Sequence, residues 1–403
     1  HLGLINTKTT QLITEASSEI IEGKHDDQFP LKVWQTGSGT QTNMNVNEVI
    51  SNIASKHLNK PLGGFDPLHP NDHVNCSQST NDVFPAAIQI ATTITLKNKL
   101  KPELIKLIDL LDQKSKDWRN IIKIGRTHLQ DAVPLTLGQE VSAWKAQLES
   151  VLNRIENNLK ELYPLPLGGT AVGTGLNSPK NFDNLIAIDI ARETNLPFET
   201  ATNKFAIMAS HDGLVNIMAQ LKLLAVTFLK IVNDLRFLSC GPRAGITELK
   251  LPTNEPGSSI MPGKVNPTQC EAMAMVCTQI IGMDTAVSIA GSGGHLQMNV
   301  YKPLIGYNIM KSINLIQSAC KSCREKMFEG MEPNEVKIKQ YLDNSLMLVT
   351  ALAPSIGYEK ASKIAQLAHK KNLSLRQASN QLNYINQEEF DNLTNPKSMI
   401  GDD

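Results

Sequence analysis

The stretch LVNIMAQLKLLAVTFLKIVNDLRFL, Leu214 to Leu238, decides the fold. Leu214, Leu221, Phe228 and Leu235 recur at every seventh position. Ile217/Met218, Leu224/Ala225, Ile231/Val232 and Leu238 fill the complementary positions, with no Gly or Pro between them. Side chains at this spacing fall on one stripe of an α-helix, as in a coiled-coil seam. Leu223, Val226, Thr227 and Leu229 carry the uncharged surface beyond that stripe. A helix apolar nearly all round must be covered on every side. With few other layers in the chain, the expected cover is a second subunit.

Helical spacing continues outward. Val141, Trp144, Leu148, Val151, Ile155, Leu159 and Leu162 form a second stripe. Residues 94–122 carry a third, with Pro102 expected to break it. Two more long apolar helices are expected from Cys270 to Ala290 and from Leu304 to Met331. Short β pieces are expected only near Phe29–Trp34 and Arg243–Leu251. The fold class expected is all-α, a bundle of long helices.

Composition excludes several partners. The chain has 403 residues, 41% hydrophobic and 19% charged, as in a soluble globular protein, and its formal net charge of zero gives no electrostatic reason to expect nucleic acid or a membrane surface. No uninterrupted apolar run reaches the roughly 18 residues of a membrane span. Cys76, Cys240, Cys270, Cys277, Cys320 and Cys323 show no disulfide framework, and the lone pair Cys320/Cys323 lacks a second pair to complete a zinc site. Reduced thiols and a cytosol-like compartment are expected. The sequence opens at His1 already in helical-looking residues, with no signal peptide expected, and reads as trimmed at its start.

Five polar segments, three of them glycine-rich, lie between the helices. Gly37 to Glu48 offers Ser38, Thr40 and several amides ahead of an apolar helix. That pattern caps a helix and also makes an anion site. His69 to Asp82 contains His69, Asn71, Asp72 and His73. A metal reading is weak there because Pro70 is expected to spoil helical spacing of the two histidines. The same segment ends with Ser79, Thr80 and Asn81 opening a helix. Gly125 to Pro134 presents Thr127 and His128 in a loop before a helix starting near Leu137. Leu167 to Asn177 looks like a phosphate loop but lacks the Gly-Lys-Ser/Thr ending. The fifth is Gly257-Ser258-Ser259-Ile260-Met261-Pro262-Gly263-Lys264-Val265-Asn266-Pro267, an ordered but mobile turn presenting hydroxyls, a cation and an amide. These suit an anionic, carboxylate-rich ligand.

That fifth segment, followed by Thr268-Gln269-Cys270-Glu271, resembles the signature loop of the fumarase/aspartase superfamily. With Gly125-Arg126-Thr127-His128, Ile356-Gly357-Tyr358-Glu359-Lys360-Ala361 and the closing region from Gln387 to Gly401, the whole chain resembles the class II fumarases. The resemblance implies an N-terminal domain over 1–77, a central bundle over 78–335 and a small helical domain over 336–403. It also implies a segment of several dozen residues ahead of His1. The implied activity is fumarate hydration in the tricarboxylic acid cycle, without metal or other cofactor. The implied assembly is a homotetramer whose sites draw on three subunits, in the cytoplasm or a mitochondrial matrix.

In the family the base is the first loop serine, here Ser258. His128 would be the acid, acting through a bound water, with Glu271 to orient it. Lys264 and Asn266 would stabilise the developing charge. Ser38, Thr40, Ser79, Thr80, Asn81 and Thr127 would hold the carboxylates, and His69, Asn71 and Asp72 would form a second carboxylate site. Two other readings stay open: an aspartase-type ammonia lyase, which His128 and Gly263 argue against, and a non-enzymatic helical scaffold, which the intact catalytic set argues against.

Overall fold

The computed structural model describes residues 2–401; His1, where the sequence reading opens, and the last two residues of the 336–403 segment lie outside it. The helices run in chain order: α1 Thr7–Ile21, α2 Thr40–His57, α3 Thr80–Thr95, α4 Lys101–Asp117, α5 Leu137–Asn158, α6 Phe182–Thr194, α7 Lys204–Ala209, α8 Asp212–Leu238, α9 Thr268–Ser292 and α10 Lys302–Cys323. Five shorter ones close the chain: α11 Glu335–Asn344, α12 Ala353–Ile356, α13 Tyr358–Lys371, α14 Leu375–Leu382 and α15 Gln387–Leu393. The all-α expectation holds.

Every seam residue of α8 is buried: Leu214, Ile217, Met218, Leu221, Leu224, Ala225, Phe228, Ile231, Val232, Leu235 and Leu238. Each large apolar side chain so removed from water contributes about 1.5–3 kcal/mol. α9 buries one stripe, Met273, Cys277, Ile280, Met283, Val287 and Ala290, and α10 buries Ile305, Ile309, Ile313, Ile316 and Cys320. The break expected at Pro102 takes the form of a π-helical turn, Leu96–Leu100, between α3 and α4, with Pro102 the second residue of α4.

Two expectations need correction. α8 and α9 are both long and apolar enough to cross a bilayer by length and composition. Counting uninterrupted apolar residues missed them because single polar residues such as Gln220 and Lys222 break the run without changing its average. Half of that stretch of α8 and a third of that of α9 are buried in the chain. The strand expected near Phe29–Trp34 is absent. Instead an antiparallel hairpin forms from β1 (Ile122–Thr127) and β2 (Gln130–Thr136), pairing Ile122 with Thr136 and Thr127 with Gln130. Near Arg243–Leu251 only Leu249–Lys250 is extended, paired with Glu332–Pro333.

The chain divides into two compact units. One holds His1–Pro102, Val151–Val226 and Val276–Ser318; the other holds Glu103–Ser150, Thr227–Met275 and Ala319–Asp403. The boundary falls inside α4, α5, α8, α9 and α10. The first unit contains a local core of Leu12 and Ala16 from α1 packed on Val49, Ile50, Ile53 and Ala54 from α2. The second contains the hairpin and a C-terminal core of Val349, Leu352, Ile364, Ala368, Leu375, Ala378 and Phe390.

Candidate active site

In the first unit the starts of α2 and α3 lie together, joined by Asn43 and Thr80. The chain enters α2 through Gly37-Ser38-Gly39. A side chain at Gly37 would lie 1.6 Å from the Val300 carbonyl oxygen, and one at Gly39, whose φ is +86°, would lie 2.5 Å from the Phe84 ring. The turn therefore packs tightly enough to bury Ser38, whose Oγ lies 2.7 Å from Thr40 Oγ1 and accepts from the Thr40 amide at 3.3 Å. Ser79 caps α3, accepting from the Asn81 amide at 3.2 Å, while the Ser79 amide donates to Asp82 Oδ1 at 3.1 Å. Asn43 of α2 donates to Thr80 Oγ1 at 2.9 Å, and Asn81 Nδ2 donates to the Ala171 carbonyl at 2.8 Å.

Asp82 holds this arrangement from beneath. Its carboxylate is inaccessible, and Oδ2 accepts from the Gly168 amide at 3.0 Å and the Thr170 amide at 2.8 Å. Burial pushes the Asp82 carboxyl above its usual range, against the pull of the amide bonds it accepts. The Leu167–Asn177 segment thus turns its first amides to a side-chain carboxylate on α3. The sequence reading missed Asp82, although Ser79-Thr80-Asn81-Asp82 spells a capping box.

In the second unit, His128 stands at the tip of the β1–β2 hairpin. His128 and Leu129 both take left-handed φ values, +54° and +60°, in a two-residue turn that normally favours Asn-Gly. Both are exposed. The strands beneath are anchored by buried charge. Lys123 Nζ lies 2.8 Å from Glu140 Oε2 and 3.0 Å from Glu248 Oε2, and Arg126 Nη2 donates to Glu248 Oε1 at 2.9 Å. A strained turn on a fixed base presents an imidazole at a defined point.

The signature loop is in the same unit. Ser258 Oγ accepts from the amides of Met261 at 3.0 Å and Ile260 at 3.3 Å. The loop closes on itself: Gly257 N donates to Lys264 O at 2.8 Å, and Asn266 Nδ2 donates to Gly257 O at 2.7 Å. Gly257 is required by this approach, since an added Cβ would sit 2.6 Å from Lys264 O. Lys264 is exposed.

The comparisons with known proteins match these segments as a whole. A lyase family model matches residues 1–282 and a fumarase C C-terminal model matches residues 348–401. A class II fumarate hydratase from Prochlorococcus marinus is 66% identical over 402 residues, covering 100% of this chain and 86% of the relative. One from Rickettsia bellii is 54% identical over 400 residues, covering 99% and 86%. The crystal structure of class II fumarase from Schistosoma mansoni superposes with a TM-score of 0.96 at 43% identity, again covering 99% and 86%. The chain belongs to the class II fumarase family.

In this fumarase chain the His69–Asp82 segment is ordered differently from expectation. Pro70 opens a π-helical turn, Pro70–Val74, rather than preventing one; at the first helical position its missing amide costs nothing. His69 Nδ1 accepts from the amides of Asn71 at 3.2 Å and Asp72 at 3.1 Å, so the ring proton sits on Nε2. Asn71 and Asp72 are exposed. Among the described residues, no three His, Cys, Asp or Glu side chains cluster as a metal set would.

One chain groups the expected residues only in part. Ser38, Thr40, Ser79, Thr80 and Asn81 belong to one unit; Thr127, His128, Ser258, Lys264, Asn266 and Glu271 belong to the other. Glu271 opens α9 with Oε1 3.9 Å from Arg236 Nη2. Among the described residues, no hydrogen bond joins it to His128.

Proposed function

We propose how the fumarate hydratase activity that this family membership confers is carried out. In the dehydration direction, Ser258 takes the proton from the carbon next to one carboxylate of L-malate. The carbon's electron pair moves into that carboxylate and gives an aci-carboxylate. Lys264 and Asn266 hold the added charge, which is where most of the barrier is lowered. The carbon–oxygen bond then breaks and the hydroxide leaves as water, protonated by His128 through a bound water, with Glu271 orienting the imidazole. Hydration of fumarate is the reverse. Ser38, Thr40, Ser79, Thr80, Asn81 and Thr127 hold the dicarboxylate in place, and His69, Asn71 and Asp72 form a second carboxylate site.

The observation that carries this reading is the pair of backbone amides donating to Ser258 Oγ. A serine serves as a base only when its alkoxide is stabilised, and two N–H donors with a lysine in the same loop supply that. The assembly belongs to the reading too. A homotetramer is supported by apolar side chains such as Val226, Phe237, Met275 and Ile289 that α8 and α9 leave in water in the single chain, and its sites draw His128 and Glu271 from different chains. The three-part division at 1–77, 78–335 and 336–403 is supported by the separate local cores near each end. The location is the cytoplasm, and the place in metabolism is the tricarboxylic acid cycle.

Loss of fumarate's ultraviolet absorbance on adding the protein, with L-malate appearing in equal amount, is the expected result. Consumption of fumarate only when ammonia is present would mean an ammonia lyase, and no consumption in either case a scaffold.

A further inference from the structure

Lys302, the first residue of α10, is wholly inaccessible, and its Nζ has no hydrogen-bond partner among the described residues. An ammonium taken out of water without a bonded counterion is costly, so its retention points to a use for its charge. Its place is defined on two sides. The Lys302 amide donates to Gly37 O at 3.2 Å, at the turn that carries Ser38 and Thr40. Its charge is felt by Asp82, beneath the start of α3, and by His211, just ahead of α8. Asp82 gives its carboxylate to three backbone amides and does not bond the ammonium. We propose that Lys302 is a further residue for substrate binding, whose buried ammonium attracts through space, without touching it, the dicarboxylate held by Thr40 and Ser79–Asn81.

The assignment rests on the dicarboxylate reading above and deepens it. Hydroxyls and helix amides orient a carboxylate but carry only partial charge, and a dianion leaving water needs a full one. Burial lowers the Lys302 ammonium to about 8, with Asp82 opposing. Burial lowers His211 to about 4, with Lys302 adding to the effect and Asp212 opposing it, so His211 is neutral near pH 7. Lys302 is thus the group of this cluster that changes charge just above neutrality. Its loss of a proton removes the attraction, so affinity falls as pH rises.

The test is equilibrium binding of succinate, a saturated four-carbon dicarboxylate. Wild-type affinity is expected to fall about tenfold between about pH 7 and pH 9. Lys302→Arg, which stays charged, should abolish that fall. Lys302→Met should weaken binding roughly 10- to 100-fold at neutral pH and show no fall. A flat wild-type profile, the same fall in Lys302→Arg, or unchanged binding by Lys302→Met would overturn the assignment. If Lys302→Met does not fold, the wild-type and Lys302→Arg profiles decide. Fumarate turnover in the same wild-type preparation separates the two readings. A protein that hydrates fumarate with flat succinate affinity breaks only the Lys302 assignment. One that binds succinate with the expected profile and hydrates nothing breaks only the proposed function.

Discussion

The two helix starts around Asp82 and the loop from Gly257 to Pro267 use the same residue types, hydroxyls, amides and glycines, but on opposite terms. The first is fixed from within. Asp82, Thr80 and Ser38 are buried, and the Asn43 side chain and the Ser79, Gly168 and Thr170 amides around them donate to named acceptors. The second is fixed to itself and to the first turn of α9. Its hydrogen bonds close the loop between Gly257 and Asn266, and Ser259 to Val265 lie in water. A rigid cradle charges little to order its ligand, because the cost of orientation was met in folding. A loop held by a few exposed bonds can close over a ligand and form its strongest contacts in the transition state. In the proposed mechanism, binding and chemistry therefore fall to different parts of the chain.

Removing the proposed base has the largest expected effect. Ser258→Ala is expected to lower kcat by about 10³-fold, within the usual range for a proton-transfer group. Succinate affinity should stay within about threefold of wild type, since the cradle carries ground-state binding. Wild-type turnover in this variant would remove Ser258 from the mechanism, and a large loss of affinity would place the loop in ground-state binding.

Mixing inactive chains tests where the second half of the site comes from. His128→Asn and Ser258→Ala, unfolded and refolded together in equal amounts, should recover about a quarter of wild-type activity if the two residues of each site come from different chains, since both must be intact by random draw. A mixture as inactive as its parents would mean that each chain completes its own site.

Much of this was legible in the sequence, and the exceptions have physical causes. The α8 seam was readable because helical burial repeats locally every few residues, and all its predicted positions are buried. Ser79 as the start of α3 was readable because capping is a matter of neighbouring residues. The β1–β2 hairpin was not. Its turn is His128-Leu129 instead of a turn-favouring pair, Pro134 lies in the second strand, and a bulge between Ile124 and Arg126 breaks the alternation. Lys302 and His211 gave no signal either, because burial of a charged side chain is decided by distant segments. The proposed pairing of His128 with Glu271 is a question of assembly, which one chain's periodicity cannot pose.

Hydrogen exchange reads the difference between the fixed helix starts and the loop amide by amide, and its changes are the mildest. The Gly168 and Thr170 amides donate to a buried carboxylate, so they open only when that part of the fold does. They should exchange slowly whether or not succinate is present. The Ile260 and Met261 amides donate to Ser258 Oγ on an exposed loop and should exchange quickly in the free protein. If the loop closes on a bound dicarboxylate, residues 256–263 should slow by about tenfold or more, because closure both excludes water and stabilises these bonds. Gly263, with φ at +79° and open space around its Cα, is the point where the chain can turn most freely. Gly263→Ala should therefore stiffen or misplace the loop without touching the cradle, leaving Gly168 and Thr170 protection unchanged while the ligand-induced slowing shrinks. Equal exchange of 256–263 with and without succinate would show that the loop is as preformed as the cradle, and the division between a rigid binding part and a closing catalytic part would fall.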